Sequence, residues 1–120
     1  MSSISIQHRI VIIGGGPGGY EAARAGRQLG AEVVLIEESG IGGNAVLTDV
    51  VPSKTLIATA DAAQRVSLAQ TLGVNFSVDG QAVKPKVEID LKVVNRRLLA
   101  LAKSQSEDML SILKEEGVRV

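Results

Sequence analysis

Between Ile13 and Tyr20 the chain reads Gly14-Gly15-Gly16-Pro17-Gly18-Gly19, which carries the spacing Gly14-x-Gly16-x-x-Gly19 with the small Ala23 one turn later. That spacing suits a backbone that must close on an anion. The first glycine permits a tight turn, the second lets the main chain approach a pyrophosphate, and the third lets a helix pack on a strand, while unpaired N–H groups at the positive helix end hold the charge. Pro17 and Gly18 fill the loop, with Pro17 suited to the first helical turn. Eighteen residues beyond Gly19 stands Glu37, followed by Glu38. An acid at this distance accepts the hydrogen bonds of an adenosine ribose. Two neighbouring carboxylates also repel a 2′-phosphate, for which an arginine is expected. These residues read as an adenine dinucleotide site and do not by themselves separate NAD from FAD. A second glycine cluster, Gly40-Ile41-Gly42-Gly43, precedes Asn44, and Lys54 follows ten residues later.

The elements that must position these groups are those of an α/β fold with a parallel sheet. Ile10 to Ile13 is a short β-branched run without polar alternation, expected as a parallel strand covered on both faces. A helix from Pro17 carries small residues at helical spacing and stops at Gly30, and Ala31 to Ile36 reads as a second buried strand. Residues 9–37 thus form one βαβ unit. A helix over about 44–72 follows, its start open between Asn44 and Pro52, and Gly73 stops it. Residues 74–89 read as a loop with room for a short strand pair. A long amphipathic helix is expected over about 90–116, although Ser104-x-x-Glu107 has the form of a capping box that would divide it. Val118 to Val120 reads as a third parallel strand just begun, so that residues 1–120 are expected to be the N-terminal part of a domain whose sheet is incomplete at the C-terminal end.

Composition removes several classes of chemistry. No cysteine is present and His8 is the single histidine, which excludes disulfides, thiolate nucleophiles and Cys- or poly-His metal sites, so no metal is expected. His8 reads as a solvated residue. Thirteen basic residues balance thirteen acidic ones, and the only aromatic residues are Tyr20 and Phe76, so neither a basic field nor a stacking surface for nucleic acid exists. No apolar run approaches the roughly 18 residues of a membrane span, and the N-terminus lacks the basic-then-apolar pattern of a secretory signal, leaving a cytoplasmic chain as the expectation. Arg96, Arg97 and Lys103 read as the wet face of the long helix, and Met109 as core.

The segment from Gly42 to Lys54, Gly-Gly-Asn-Ala-Val-Leu-Thr-Asp-Val-Val-Pro-Ser-Lys, resembles the flavin-facing segment of the dihydrolipoamide dehydrogenase and glutathione reductase family, whose pattern is close to GGTCxxxGCxPSK. With Gly14, Gly16, Gly19 and Glu37, the resemblance spans essentially the whole chain. It implies a Rossmann-like FAD-binding domain. The adenosine would lie at Glu37 and Glu38, the diphosphate at Gly14 to Gly19 and near Gly42, Gly43 and Asn44, and the flavin ring beside the second helix. It also implies a homodimer and NAD(P)H bound as co-substrate outside these residues. At the positions of the family's two redox cysteines stand Ala45 and Val50, which cannot carry out thiol–disulfide exchange. The resemblance is therefore to the cysteine-less NAD(P)H:quinone reductases of the family, in which the flavin passes electrons directly to a small-molecule acceptor. Lys54, one turn from Val50 on a shared helix face, is the candidate catalytic residue, a cation beside the flavin ring that would favour its reduced form. Other expectations are a soluble transhydrogenase of the same family, a non-enzymatic dinucleotide-binding or sensing module, and an NAD-dependent dehydrogenase using the first motif alone. The Gly42 to Lys54 segment opposes the last.

Overall fold

The computed structural model describes residues 8–120, so the N-terminal signal reading falls largely outside the described residues. Arg9–Ile13 forms β1 and Glu32–Ile36 forms β2, paired in parallel with Ile10 opposite Val33 and Ile12 opposite Leu35. Between them runs α1, Pro17–Gln28, with proline in the first turn, where its missing N–H leaves no helical bond unmade. Helix α1 lies close to the sheet because its inner face is small. A Cβ on Gly26 would stand 3.0 Å from Val33 Cγ2, and Ala23 is fully buried. On the outer edge of β2, Leu35 N donates to Arg119 O at 2.8 Å and Arg119 N to Val33 O at 3.1 Å, which adds one parallel bridge rather than a full strand.

The covered face of the sheet presents Ile10, Ile12, Val33 and Leu35. Val33 and Leu35 join Tyr20, Ala23, Ala31, Ile41, Leu113 and Val118 in the core, each buried aliphatic side chain of this size contributing roughly 1.5–3 kcal/mol. The opposite face presents Val11, Ile13 and Ile36, which are exposed, Ile13 to 85%. Within residues 8–120 the expected covering of β1 is seen on one face only. Helix α1 and the long C-terminal helix lie on the same side, and no described element covers the other.

The expected helix over 44–72 is likewise divided. Gly43–Leu47 forms α2 and Val50–Leu68 forms α3, with a 3-10 turn over Ala69–Leu72. The backbone leaves helical geometry at Thr48 and Asp49, whose N–H groups both donate to Asn44 O, at 3.1 and 2.9 Å. Pro52 explains the break. It cannot donate to Thr48 O as a continuous helix would require, yet it is tolerated in the first turn of a new helix. Phe76–Val78 (β3) and Gln81–Val83 (β4) form an antiparallel hairpin closed by Asp79-Gly80. Both turn residues have positive φ, 50° and 78°, as the tight turn favoured by Asp-Gly demands.

Helix α4, Leu91–Glu115, is continuous through Ser104, so the capping-box alternative is not realised. Its buried residues Ala102, Ser106 and Leu113 share one face, and packing along that face outweighs a local cap. Asp90 caps its start by accepting from Lys92 N and Val93 N at 2.9 and 3.1 Å. The first turns of α4 lie against the latter half of α3 and its second half lies beside α2, so α3 and α4 run antiparallel. The C-terminal end of α4 is fixed to α1. Arg24 Nη2 and Nε both donate to Glu116 Oε1, at 2.8 and 2.9 Å, Nε also to Oε2 at 3.1 Å, and the guanidinium sits over the Tyr20 ring, while Arg27 donates to the Glu116 carbonyl at 3.0 Å. Among the described residues no helix is long and apolar enough to cross a membrane, and no three His, Cys, Asp or Glu side chains cluster to hold a metal.

Candidate functional site

The site is built where β1 and β2 end together. Gly14 N donates to Ile36 O at 2.8 Å, carrying the ladder one residue past β1 and setting Glu37 beside the glycine loop. Gly14 turns the chain with φ 103°, a conformation side-chain-bearing residues avoid. Gly19 meets a harder constraint, since a Cβ there would stand 1.8 Å from the Gly14 carbonyl oxygen. By contrast, a Cβ on Gly16 or Gly18 would meet nothing within 4 Å, so the space above the loop is open. Gly16 caps α1, and the N–H groups of Gly18 and Gly19 have no partner among the described residues. Open space, unpaired donors and the positive end of a 12-residue helix together fit a phosphate group.

Glu37 is the electrostatic centre. Its carboxylate accepts from Gly15 N at 2.6 Å, Ser39 N at 2.7 Å and Gly40 N at 3.4 Å. The Ser39 and Gly15 donors hold its carboxyl below the ordinary glutamate value of 4.5, against a smaller opposing effect of burial. It is thus an anion fixed in place, with Oε1 accepting two bonds and one lone pair of Oε2 left for a further donor. The second glycine segment closes on the first. Gly42 N donates to Gly15 O at 2.7 Å, and a Cβ on Gly43 would stand 3.1 Å from Gly16 Cα. Gly43 and Asn44 open α2 at this junction.

A cleft of about 410 Å³ adjoins Glu37, lined by Glu37 to Ile41 from the β2 exit, Leu47 of α2, Lys103, Ser106, Glu107 and Leu110 of α4, and Val120. That volume falls within the range of about 300–1,000 Å³ for small-molecule sites. The fold therefore brings together Gly14, Gly16, Pro17, Gly18, Gly19, Glu37, Glu38, Gly42, Gly43 and Asn44. Lys54 stands apart, exposed on α3 and outside the cleft, on the same exposed face as Val50. Sequence reasoning missed three contributors: the Ser39 and Gly40 N–H groups around Glu37, the α4 wall with Ser106, and the Arg24–Glu116 pair that anchors that wall. The helical spacing of Ala102, Ser106 and Leu113 marks one face of α4, but nothing local to them places that face at the cleft.

The pyridine nucleotide-disulphide oxidoreductase family matches residues 8–120, and the chain belongs to that family. Its Rossmann-like fold is shared with the crystal structure of LpdA from Mycobacterium tuberculosis, at a TM-score of 0.77 and 39% identity over 94% of this chain and 23% of that one. An NAD(P)H dehydrogenase (quinone) from M. tuberculosis strain H37Rv is 41% identical over 93% of the chain and 22% of its own length. A dihydrolipoyl dehydrogenase from Acholeplasma laidlawii is 32% identical over 98% of the chain and 33% of its own length. The chain thus spans between a fifth and a third of these curated relatives.

Proposed function

We propose that residues 8–120 hold the FAD of an NAD(P)H-dependent flavoprotein oxidoreductase that passes electrons directly to a small acceptor such as a quinone, without a redox disulfide. The adenine dinucleotide half of this reading is supported by Glu37 and the glycine loop at one sheet end, with a cleft beside them. The quinone relative supports the acceptor class. The observation that carries the direct-transfer half is the pair Ala45 and Val50. They stand on α2 and α3 at either side of the Thr48-Asp49 break, where the family resemblance implies the two thiols. Methyl and isopropyl groups form no thiolate and no mixed disulfide, so electrons have no relay through this chain.

Bound FAD would supply the hydride and electron chemistry, which belongs to the cofactor. The chain supplies the rest. Gly18 and Gly19 N–H groups with the α1 dipole would take the diphosphate, Glu37 the ribose hydroxyls, and Gly43 and Asn44 the approach of the ribityl side. Glu38 adds a second carboxylate that disfavours a 2′-phosphate in this cleft. Lys54, on the Val50 face of α3, would place its ammonium toward the ring and favour added negative charge there. A homodimer is proposed from the family resemblance. The test is the identity of the ligand released by heating the purified protein, read by visible spectrum and mass. FAD supports the reading, whereas NAD favours a dehydrogenase and FMN removes the adenosine site.

A further inference from the structure

Ser106 is one of two buried polar residues in the described chain, 8% exposed, in the middle of α4. The other, Thr55, donates its hydroxyl to Val51 O at 3.0 Å, whereas the Ser106 hydroxyl bonds to no described residue and stays open to the cleft, since no enclosed side-chain oxygen among the described residues lacks a partner. Ser106 lines the cleft together with Leu47 and Leu110, and its Oγ is 3.0 Å from where a Cβ on Gly40 would stand. A hydroxyl that bonds neither to its own helix nor to a neighbour, and that opens on a cavity, is free to donate to or accept from a polar group held there. Glu37 lines the same cleft.

We infer that Ser106 is a specificity-determining residue for the adenosine end of the dinucleotide. Its hydroxyl donates to or accepts from the purine or ribose edge, while Leu47 and Leu110 flank the apolar face of the base. This deepens the dinucleotide reading and rests on it. It assigns to α4 a direct ligand contact in place of a purely structural role, and it gives Gly40 a reason to lack a side chain, since one there would press on the Ser106 hydroxyl.

The test is calorimetric titration of the flavin-stripped protein with FAD and, separately, with ADP, which keeps adenosine and diphosphate but lacks the flavin. Ser106→Ala should weaken both ligands by the same factor, roughly two- to tenfold, the worth of one neutral hydrogen bond. Ser106→Leu should weaken both by more than about tenfold, because it fills cleft volume the ligand needs. The melting temperature of the ligand-free Ser106→Ala protein should not fall, since no protein hydrogen bond is lost. Unchanged affinity in both variants overturns the inference, as does weakening of FAD without ADP. So does a loss of affinity accompanied by a lower ligand-free melting temperature, which would make Ser106 structural. If the unaltered protein binds neither ADP nor FAD, the dinucleotide reading itself fails, a result distinct from a silent Ser106 in a protein that binds both.

Discussion

Replacing Glu37 tests how the site holds its ligand before and after binding. One carboxylate oxygen accepts from Gly15 N at 2.6 Å and the other from Ser39 N at 2.7 Å, so both oxygens serve as acceptors within the chain. Glu37→Ala removes these and the ribose bonds together. Hydrogen bonds to a charged group are worth about 1.5–3 kcal/mol net, so FAD affinity should fall roughly 10- to 150-fold. Glu37→Gln should recover only part of the loss, because an amide nitrogen must then face one of two N–H donors that need an acceptor. The pH dependence has a fixed sign. The folded-state value lies below the ordinary 4.5, so Glu37 stabilises the fold above that pH and the contribution fades as pH falls through the folded value. Calorimetry of FAD binding by the flavin-stripped protein, paired with melting curves of Glu37→Ala from pH 7 to pH 3, reads both effects. Wild-type affinity in Glu37→Ala would move the ribose contact elsewhere. A melting difference between the two proteins that grows on acidification would refute the linkage.

Three further outcomes are expected. Gly19→Ala forces a Cβ to within 1.8 Å of a backbone oxygen and should cost at least about 3 kcal/mol, seen as a lower denaturation midpoint and loss of bound flavin. Ala45→Cys/Val50→Cys should oxidise to a disulfide detectable by mass, because the Thr48-Asp49 break separates α2 from α3. In one continuous helix the two positions would point about 140° apart; failure to oxidise would mean that the break does not align them. Lys54→Ala should lower the flavin potential and slow reduction by NAD(P)H with little change in ADP affinity; an unchanged potential returns Lys54 to the solvated surface.

The phosphate loop and βαβ unit were legible because glycine spacing, Pro17 and the β-branched runs report local requirements: a tight turn, a fixed φ, a strand. What escaped depended on partners distant in the chain. Nothing in Ile10 to Ile13 states that α1 and α4 both lie on the side of Val33 and Leu35. The division of the helix at Thr48-Asp49 was readable from Pro52, given that a proline within an uninterrupted helix costs about 3 kcal/mol. The Asp79-Gly80 hairpin turn was likewise present in the sequence as a dipeptide with a strong positive-φ preference. Ser106 was not readable as a cleft residue, because its place in the same cleft as Glu37 depends on how α4 packs and on the Arg24–Glu116 anchor.

The central claim concerns where electrons go after NAD(P)H. It is tested most directly by steady-state turnover of the purified protein with NAD(P)H and, in parallel, a quinone or lipoamide as acceptor, before and after treatment with a thiol-alkylating reagent. With Ala45 and Val50 in place of a dithiol, quinone reduction should proceed at a rate indifferent to alkylation near the flavin, and lipoamide should give no turnover. Turnover of lipoamide, or quinone reduction abolished by alkylation of a thiol near the flavin, would contradict direct transfer.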